Sequence, residues 1–428
     1  MIEVYESIYD TAVSHFSVEL ISWIQENEKQ FRVLCTILSQ YQRIAVQLDN
    51  IDLFRLELLC SKFGINRLII PSDYSVEDAL KFATKFRAQI LLYRDNNLEL
   101  SFHVTGNFQY YKAYKSISPC VCFLTSGSTG TPKVVTKNEQ CLLEEGKILS
   151  DYLNINSEHN ILMNVKLSHN FGYIYGIIIS TIIGKIPNIL SPMTIKLLNK
   201  DMFLNEKNIF ITSPRYAAYI AQNTQGDRMI ISAGSRLENH KKISELNKVI
   251  IYDQYGTTES GVIWINRVDN GSKLSQKLFV DLSIDSDKKA IVVSNFTTII
   301  QGEDSADLKF LNKPVKLEDI IVMNEQGIYE IIGRYSNVLN INGEKYSAEI
   351  IESEVEKIPG VESTVVEVDN KGILRCFYVS NSELNTSIFF DYIKTTLPRF
   401  AIPKYYIKVE ATDILYNNGK KKRGCHEK

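Results

Sequence analysis

Apolar positions change their period along the chain, and the changes mark out its elements. In residues 1–40 they recur at helical spacing, as in Phe16-Ser17-Val18-Glu19-Leu20-Ile21-Ser22-Trp23-Ile24, so this stretch is expected to be helical. Residues 43–48 read as a short strand and 52–63 as a helix capped by Gly64. A strand at 67–71, a helix at 76–86 and a strand at 88–92 repeat the unit. Such alternation predicts a parallel α/β sheet with helices on its faces. Further strands are expected at 120–124, 161–165, 208–212, 229–231 and 249–252, with helices at 139–153 and 214–222. From about 276 to 332 the pattern turns to alternating β (290–294, 320–323, 328–332), with Asn324-Glu325-Gln326-Gly327 as a hairpin turn. Beyond it lies a small α+β stretch with a helix at 348–357 and strands at 363–368 and 373–379. The expected fold is therefore α/β: a large N-terminal domain, 1–333, with parallel or mixed sheets and a β-subdomain at about 276–332, then a small α+β domain, 334–428.

Composition narrows the class only a little. A chain of 428 residues with 44% hydrophobic and 23% charged residues is ordinary for a globular protein of two or three domains. Net charge −2 argues against a nucleic-acid partner. Seven cysteines without a CxxC spacing fit reduced thiols in a cytoplasm and not a disulfide framework or a zinc site. The N-terminus, Met1-Ile2-Glu3-Val4-Tyr5-Glu6, carries no signal-peptide pattern. The most apolar stretch, 171–190, is interrupted by Gly176, Gly184, Lys185 and Pro187, so a buried helix is expected there and no membrane span. The basic residues Lys421, Lys422 and Arg423 near the C-terminus are expected to be solvated.

Chemistry concentrates at the ends of the predicted strands, where open α/β sheets bind ligands. The first site is Thr125-Ser126-Gly127-Ser128-Thr129-Gly130-Thr131-Pro132-Lys133 after strand 120–124. Glycines permit close backbone approach, and N–H groups, hydroxyls and one lysine form a cradle for phosphate oxygens. The Walker A order is absent. Ser168-His169-Asn170-Phe171-Gly172 follows strand 161–165, Ser232-Ala233-Gly234-Ser235 follows 229–231, and Tyr255-Gly256-Thr257-Thr258-Glu259 follows 249–252. Asp319 stands 15 residues before Arg334, and Asn417-Asn418-Gly419-Lys420 lies near the end.

In order and spacing these stretches resemble the acyl-adenylate-forming (AMP-binding) enzymes: acyl- and aryl-CoA synthetases, nonribosomal-peptide adenylation domains and luciferases. The resemblance covers essentially the whole chain, although fewer residues precede the phosphate loop than in most members. It implies ATP-dependent activation of a small carboxylic acid to acyl-AMP, then transfer to a pantetheine thiol of CoA or of an acyl or aryl carrier protein. Thr125, Ser126, Gly127, Ser128, Thr129, Gly130 and Lys133 would hold the β- and γ-phosphates. Ala233, Gly234, Tyr255, Gly256 and Thr257 would lie at the nucleotide, Thr258 at the α-phosphate, and Glu259 on Mg²⁺. Asp319 would take the ribose hydroxyls and Arg334 the ribose or phosphate. His169, Asn170, Phe171, Gly172 and Ser232 would line the acyl pocket. Gly343 would line the pantetheine tunnel once the mobile C-terminal domain has rotated about the 333–336 hinge. Lys420 would bridge the carboxylate and the α-phosphate.

The chain departs from the family at Leu317-Glu318, Ser336, Asn342 and Leu415-Tyr416. Amino-acid-activating members carry an Asp where Asn170 stands, and no carboxylate occurs from 159 to 200. An unpaired buried ammonium is costly, so an aryl or acyl acid is expected over an amino acid. The alternatives implied are a nucleotide-binding relative without turnover, or an adenylate-dependent amide or ester synthetase.

Overall fold

The structure is a computed structural model that describes residues 7–15, 43–49, 51–95, 100–105, 119–125, 133–199, 207–224, 228–234, 249–269, 273–285, 289–294, 296, 299–300, 314–334, 337–341, 344–369, 372–382, 384–415 and 421–422. The chain divides into two compact units, 1–281 with 292–315, and 282–291 with 316–428. Residues 316–333, which the hydrophobic pattern groups with the larger domain, lie in the second unit.

The first unit holds two seven-stranded sheets. Sheet one contains β1 (Arg43–Gln47), β2 (Asn66–Ile69), β3 (Ile90–Arg94), β4 (Leu100–Val104), β5 (Cys120–Thr125), β6 (Lys133–Asn138) and the late strand β16 (Ile299–Ile300), in the order β16-β6-β5-β2-β1-β3-β4. Its centre is parallel, and β4, β6 and β16 are antiparallel additions. Sheet two contains β7 (His159–Met163), β8 (Asn188–Ile189), β9 (Lys207–Thr212), β10 (Arg228–Ala233), β11 (Ile250–Thr257), β12 (Gly261–Asp269) and β13 (Lys273–Leu278), in the order β13-β12-β11-β10-β9-β7-β8. Strands β7 to β11 are parallel, and β11–β12–β13 form an antiparallel meander.

One core lies between the sheets. Ile44 and Val46 of β1, Val121 and Phe123 of β5, and Ile161, Met163, Ile209 and Ile211 of sheet two all belong to it, with Leu142, Leu149, Ile174 and Ile178 from helices between them. The intervening residues face outward onto a second layer. Ala45 and Cys122 meet the helix Val76–Lys85, and Leu162 and Phe210 meet the helix Pro214–Asn223. Burial on both faces explains why the central strands read as unbroken apolar runs.

Several expectations shift. The strand expected at 88–92 begins at Ile90, because Ala88 still donates its N–H back to Ala83 at the end of the preceding helix (2.8 Å). The strand expected at 249–252 continues to Thr257, so Tyr255, Gly256 and Thr257 lie within β11 and not beyond it. In these two sheets, strands β4, β6, β8, β12, β13 and β16 are additions to the predicted set. The buried helix expected in 171–190 is a composite of an α-turn (Asn170–Tyr173), a π-segment (Ile174–Ile179) and a short α-turn (Ser180–Ile182). Among the described residues no helix is long and apolar enough to cross a membrane. Of residues 1–40 only the helix Ile8–His15 falls within the described segments.

The second unit contains a four-stranded sheet of β14 (Asp281–Ile284), β15 (Lys289–Val293), β17 (Val315–Met323) and β18 (Tyr329–Arg334). The predicted turn joins β17 to β18: Gly327 takes φ +76°, and the Asn324 Oδ1 accepts the N–H groups of Gln326 and Ile328, both at 3.0 Å. A hairpin, β19 (Val338–Ile341) and β20 (Glu344–Ser347), leads into the helix Ala348–Glu356. A three-stranded sheet of β21 (Val361–Val368), β22 (Leu374–Ser380) and β23 (Tyr405–Lys408) packs on that helix through Ile351, Val355, Cys376 and Tyr378, and Phe389 of the helix Thr386–Ile393 joins the same core. The basic tail is not uniformly solvated. Lys421 Nζ reaches Glu352 Oε2 at 3.0 Å and Glu356 Oε1 at 2.7 Å, and it keeps only 26% of its side chain exposed.

The described cysteines, Cys60, Cys120, Cys122, Cys141 and Cys376, carry thiols. Burial pushes the Cys120 thiol up to about 12 and Cys122 to about 11, so neither is a nucleophile near neutrality.

The first unit's core also contains charge. Arg67 on β2, Glu57 on the helix Ile51–Lys62 and Glu139 at the start of the helix Glu139–Leu153 are fully buried together, with Arg67 2.7 Å from Glu57 and 2.5 Å from Glu139. Burial alone would lower the Arg67 pKa; the two carboxylates outweigh it and raise it. Arg67→Met leaves two carboxylates buried without their cation. It is expected to cost about 3–5 kcal/mol in a urea unfolding titration; a loss below ~1 kcal/mol would show that the cluster is not a keystone.

Candidate active site

Three of the predicted segments meet at one edge of sheet two. Because β7, β9, β10 and β11 run parallel, their C-terminal ends line up: Met163 is level with Ile211, Thr212 with Ser232, and Ala233 with Gln254. The 168–172 segment, the 232–234 turn and the 255–259 segment therefore share this rim.

The first segment is held by backbone contacts. Ser168 donates its N–H to Asp49 Oδ1 (3.3 Å) at the end of β1. His169 is the helix N-cap, with extended φ −98° and ψ 145° and without a side-chain cap bond, and its imidazole is exposed. A Cβ on Gly172 would overlap the Lys166 carbonyl oxygen. That close approach, and not a positive φ, is the reason for glycine there. Phe171 stands edge-on to Tyr175 at 5.2 Å, and Tyr173 OH donates to Glu57. The Asn170 Oδ1 is buried and accepts no hydrogen bond among the described residues.

At the end of β10, Ser232 is fully buried and its Oγ likewise lacks a partner among the described residues. Gly234 follows with φ +99° and open space on its Cβ side. In β11 the Tyr255 ring lies 4.3 Å from its cross-strand neighbour Trp264, tilted by 41°. A Cβ on Gly256 would overlap the Gly261 carbonyl oxygen, so the two ends of the 257–260 turn touch through backbone. Within the turn, Thr257 Oγ1 and Ser260 Oγ are 2.9 Å apart, and Ser294 Oγ donates to the Ser260 carbonyl at 2.8 Å. Thr258 and Glu259 sit half-buried in this braced turn.

Glu259 offers the hard oxygen that Mg²⁺ takes. No cluster of three or more His, Cys, Asp or Glu able to hold a metal occurs among the described residues.

The phosphate loop is seen through its ends. Thr125 and Lys133 are antiparallel partners on β5 and β6, with Thr125 Oγ1 3.4 Å from the Lys133 carbonyl oxygen, and Lys133 is exposed. Ser126, Gly127, Ser128, Thr129 and Gly130 lie outside the described residues, as do Gly343 and Lys420. In the second unit Asp319 is buried and pairs in register with Arg334 across β17–β18. The 15-residue spacing is thus a hairpin spacing.

Two positions were not singled out by sequence. Gln254, directly before Tyr255, is buried and accepts the Tyr175 hydroxyl hydrogen bond at 2.7 Å. Burial raises the Tyr175 pKa well above its ordinary value, so this phenol stays protonated and donating. Asn164, just past β7, carries a further buried oxygen without a partner among the described residues, as does Ser168. Adjacency to the Tyr-Gly-Thr-Thr-Glu run was the available signal for Gln254; none marked Asn164.

Residues 53–284 match the family model described as AMP-binding enzyme. The chain is 23% identical over 328 residues to the 3,4-dihydroxybenzoate–[aryl-carrier protein] ligase of Bacillus anthracis, covering 74% of each chain. Among solved structures it resembles the anthranilate CoA ligase AuaEII in complex with anthranoyl-AMP, at TM-score 0.75 and 15% identity over 97% of this chain and 96% of that one. It also resembles O-succinylbenzoate CoA synthetase from Bacillus subtilis in complex with AMP, at TM-score 0.74 and 16% identity over 90% and 88%. These likenesses show the fold.

The site makes opposite demands at two of its positions. Ser232→Ala removes a buried, unpartnered hydroxyl and is expected to leave stability unchanged or raise it by up to ~1 kcal/mol. Gly172→Ala forces backbone apart and is expected to cost more than ~2 kcal/mol. Urea unfolding of both variants checks the contrast; equal losses would contradict it.

Proposed function

The chain belongs to the AMP-binding enzyme family, and on that premise we propose that it activates a small aryl acid as its acyl-adenylate and passes the acyl group to a pantetheine thiol. The observation that carries the reading is the shared rim, to which Asn170 and Ser232 bring buried oxygens without a partner among the described residues, and along which β10 runs beside β11, the strand that leads into Tyr255–Glu259. A buried acceptor without a donor is unfavourable, and a ring hydroxyl would supply the donor. An α-ammonium would need a carboxylate that the segment lacks. The resemblance to a dihydroxybenzoate ligase supports the same acid class.

In this reading a carboxylate oxygen of the acid attacks the α-phosphorus of ATP in line. The P–O bond to the β-phosphate breaks and pyrophosphate leaves. Lys133 and the hydroxyls of Ser126, Ser128 and Thr129 balance charge developing on the leaving group. Thr258 donates to the α-phosphate, and Asp319 with Arg334 addresses the ribose. Mg²⁺, held through Glu259, would supply Lewis-acid polarisation of the phosphoryl oxygens. Lys420 brings carboxylate and α-phosphate together, a proximity effect. A domain running from 334 to 428 then turns about Gly333 and Arg334, Lys420 withdraws, and the Gly343 loop lines the path of the thiol. The thiol attacks the acyl carbon, loses its proton and displaces AMP. An aryl carrier protein is the acceptor we favour over CoA, on the likeness to the carrier-protein ligase.

The test is acid-dependent exchange of labelled pyrophosphate into ATP across a panel of hydroxybenzoates, fatty acids and amino acids. Exchange with hydroxybenzoates is expected; ATP binding without exchange for any acid would make the chain a nucleotide-binding relative. Lys420→Ala should lower exchange by about 10²-fold or more, while thioester formation from supplied aryl-AMP is retained. Equal loss of both steps would contradict the two-state scheme. Asn170→Asp should weaken hydroxybenzoate selectivity by about tenfold; unchanged selectivity would remove residue 170 from the pocket.

A further inference from the structure

The helix Glu139–Leu153 crosses between the two sheets, and one turn of it touches three segments of the site. Its Glu145 is buried, and each carboxylate oxygen has a separate task. Oε2 lies 3.2 Å from the Nζ of Lys137, itself fully buried on β6, four residues beyond Lys133. Oε1 accepts the Val262 N–H at 2.8 Å, at the start of β12 and just past the 257–260 turn. Gly261 takes φ +73° directly against this carboxylate, and a Cβ there would come within 2.8 Å of Oε2 and 2.9 Å of Oε1. The next helix residue, Gly146, presses on the π-segment behind the acyl pocket, where its Cβ would come within 2.5 Å of Ile178 Cγ2.

We propose that Glu145 is a positioning residue that fixes the Thr258–Glu259 turn in place relative to the strand leading out of the phosphate loop. Two ions removed from water cannot part without exposing an uncompensated buried charge. The Lys137–Glu145 pair therefore holds the carboxylate rigid, and the rigid carboxylate holds Val262. Gly256 and Gly261 are in backbone contact, so a fixed Val262 fixes both ends of the turn. Glu145 touches neither nucleotide nor acid in this scheme. It acts through the turn, and ATP contacts, not acid contacts, depend on it. The inference rests on the adenylation reading and adds to it the residue that registers its two nucleotide-binding segments.

Glu145→Gln keeps the volume and an acceptor for Val262 but turns an amide towards the Lys137 ammonium. The full chain is titrated calorimetrically with a non-hydrolysable ATP analogue, its pyrophosphate exchange is measured against ATP and against acid, and its urea midpoint is recorded. The proposal expects the analogue Kd and the KM for ATP to rise together by about tenfold, with the KM for acid within about twofold of the parent. Lower stability with parent-like nucleotide affinity would overturn it, because a purely structural pair predicts that outcome. Equal rises in both KM values would overturn it as well. Should the single variant fail to fold, Lys137→Met with Glu145→Gln removes both charges and keeps the Val262 acceptor. Parent-like analogue binding in that double variant would overturn the proposal, and a rise confined to ATP would support it. No analogue binding by the unsubstituted chain would instead sink the adenylation reading.

Discussion

The first unit is assembled around one buried cation shared by two carboxylates. Arg67 donates Nε–H to Glu57 and Nη1–H to Glu139, at 2.8 and 2.5 Å. Glu139 also accepts from Ser61 Oγ at 2.7 Å and from the Ile8 N–H at 3.2 Å. Tyr173, the residue after Gly172, donates its hydroxyl to Glu57. Desolvating these groups is expensive, and the pairing of one cation with both carboxylates offsets it, although Glu57 Oε1 accepts no hydrogen bond among the described residues. Strand β2, three helices and the turn that carries Tyr173 must therefore reach their places together.

This coupling explains how a site made of loops acquires a defined geometry. The rim residues of sheet two are placed by strand register, which the two-faced burial of β7 to β11 sets. The 168–173 segment is pulled toward sheet one by Asp49 and by the Glu57–Tyr173 bond. The candidate site residues of this rim lie on short spans between these fixed points. Glycines at 172 and 256 mark the places where backbone meets backbone, so positions that look like flexible punctuation in the sequence are among the most constrained.

Much of the architecture was legible because its central strands are covered on both faces. Ile44-Ala45-Val46 and Ile209-Phe210-Ile211 divide their side chains between two apolar layers and so read as unbroken hydrophobic runs. Strand β6 was not legible, because Lys137 near its end is polar in composition and buried in fact. Its partner Glu145 lies eight residues on, and no hydropathy pattern reveals that pairing. Likewise Lys421 looks like a solvated tail residue until Glu352 and Glu356 are brought beside it. The candidate site was legible as a set of stretches; Asn164 and Gln254 were not, since both depend on which strand ends come level.

The pairing of Thr125 with Lys133 has a consequence for the connection between them. Joining two ends of a chain segment carries a configurational entropy cost that grows with the logarithm of its length. Here the hairpin β5–β6 brings the ends together as neighbours in the folded chain. That cost is met once, by sheet formation. Lengthening the connection would weaken the fold only slightly, whereas parting the two strands would release the whole of the constraint.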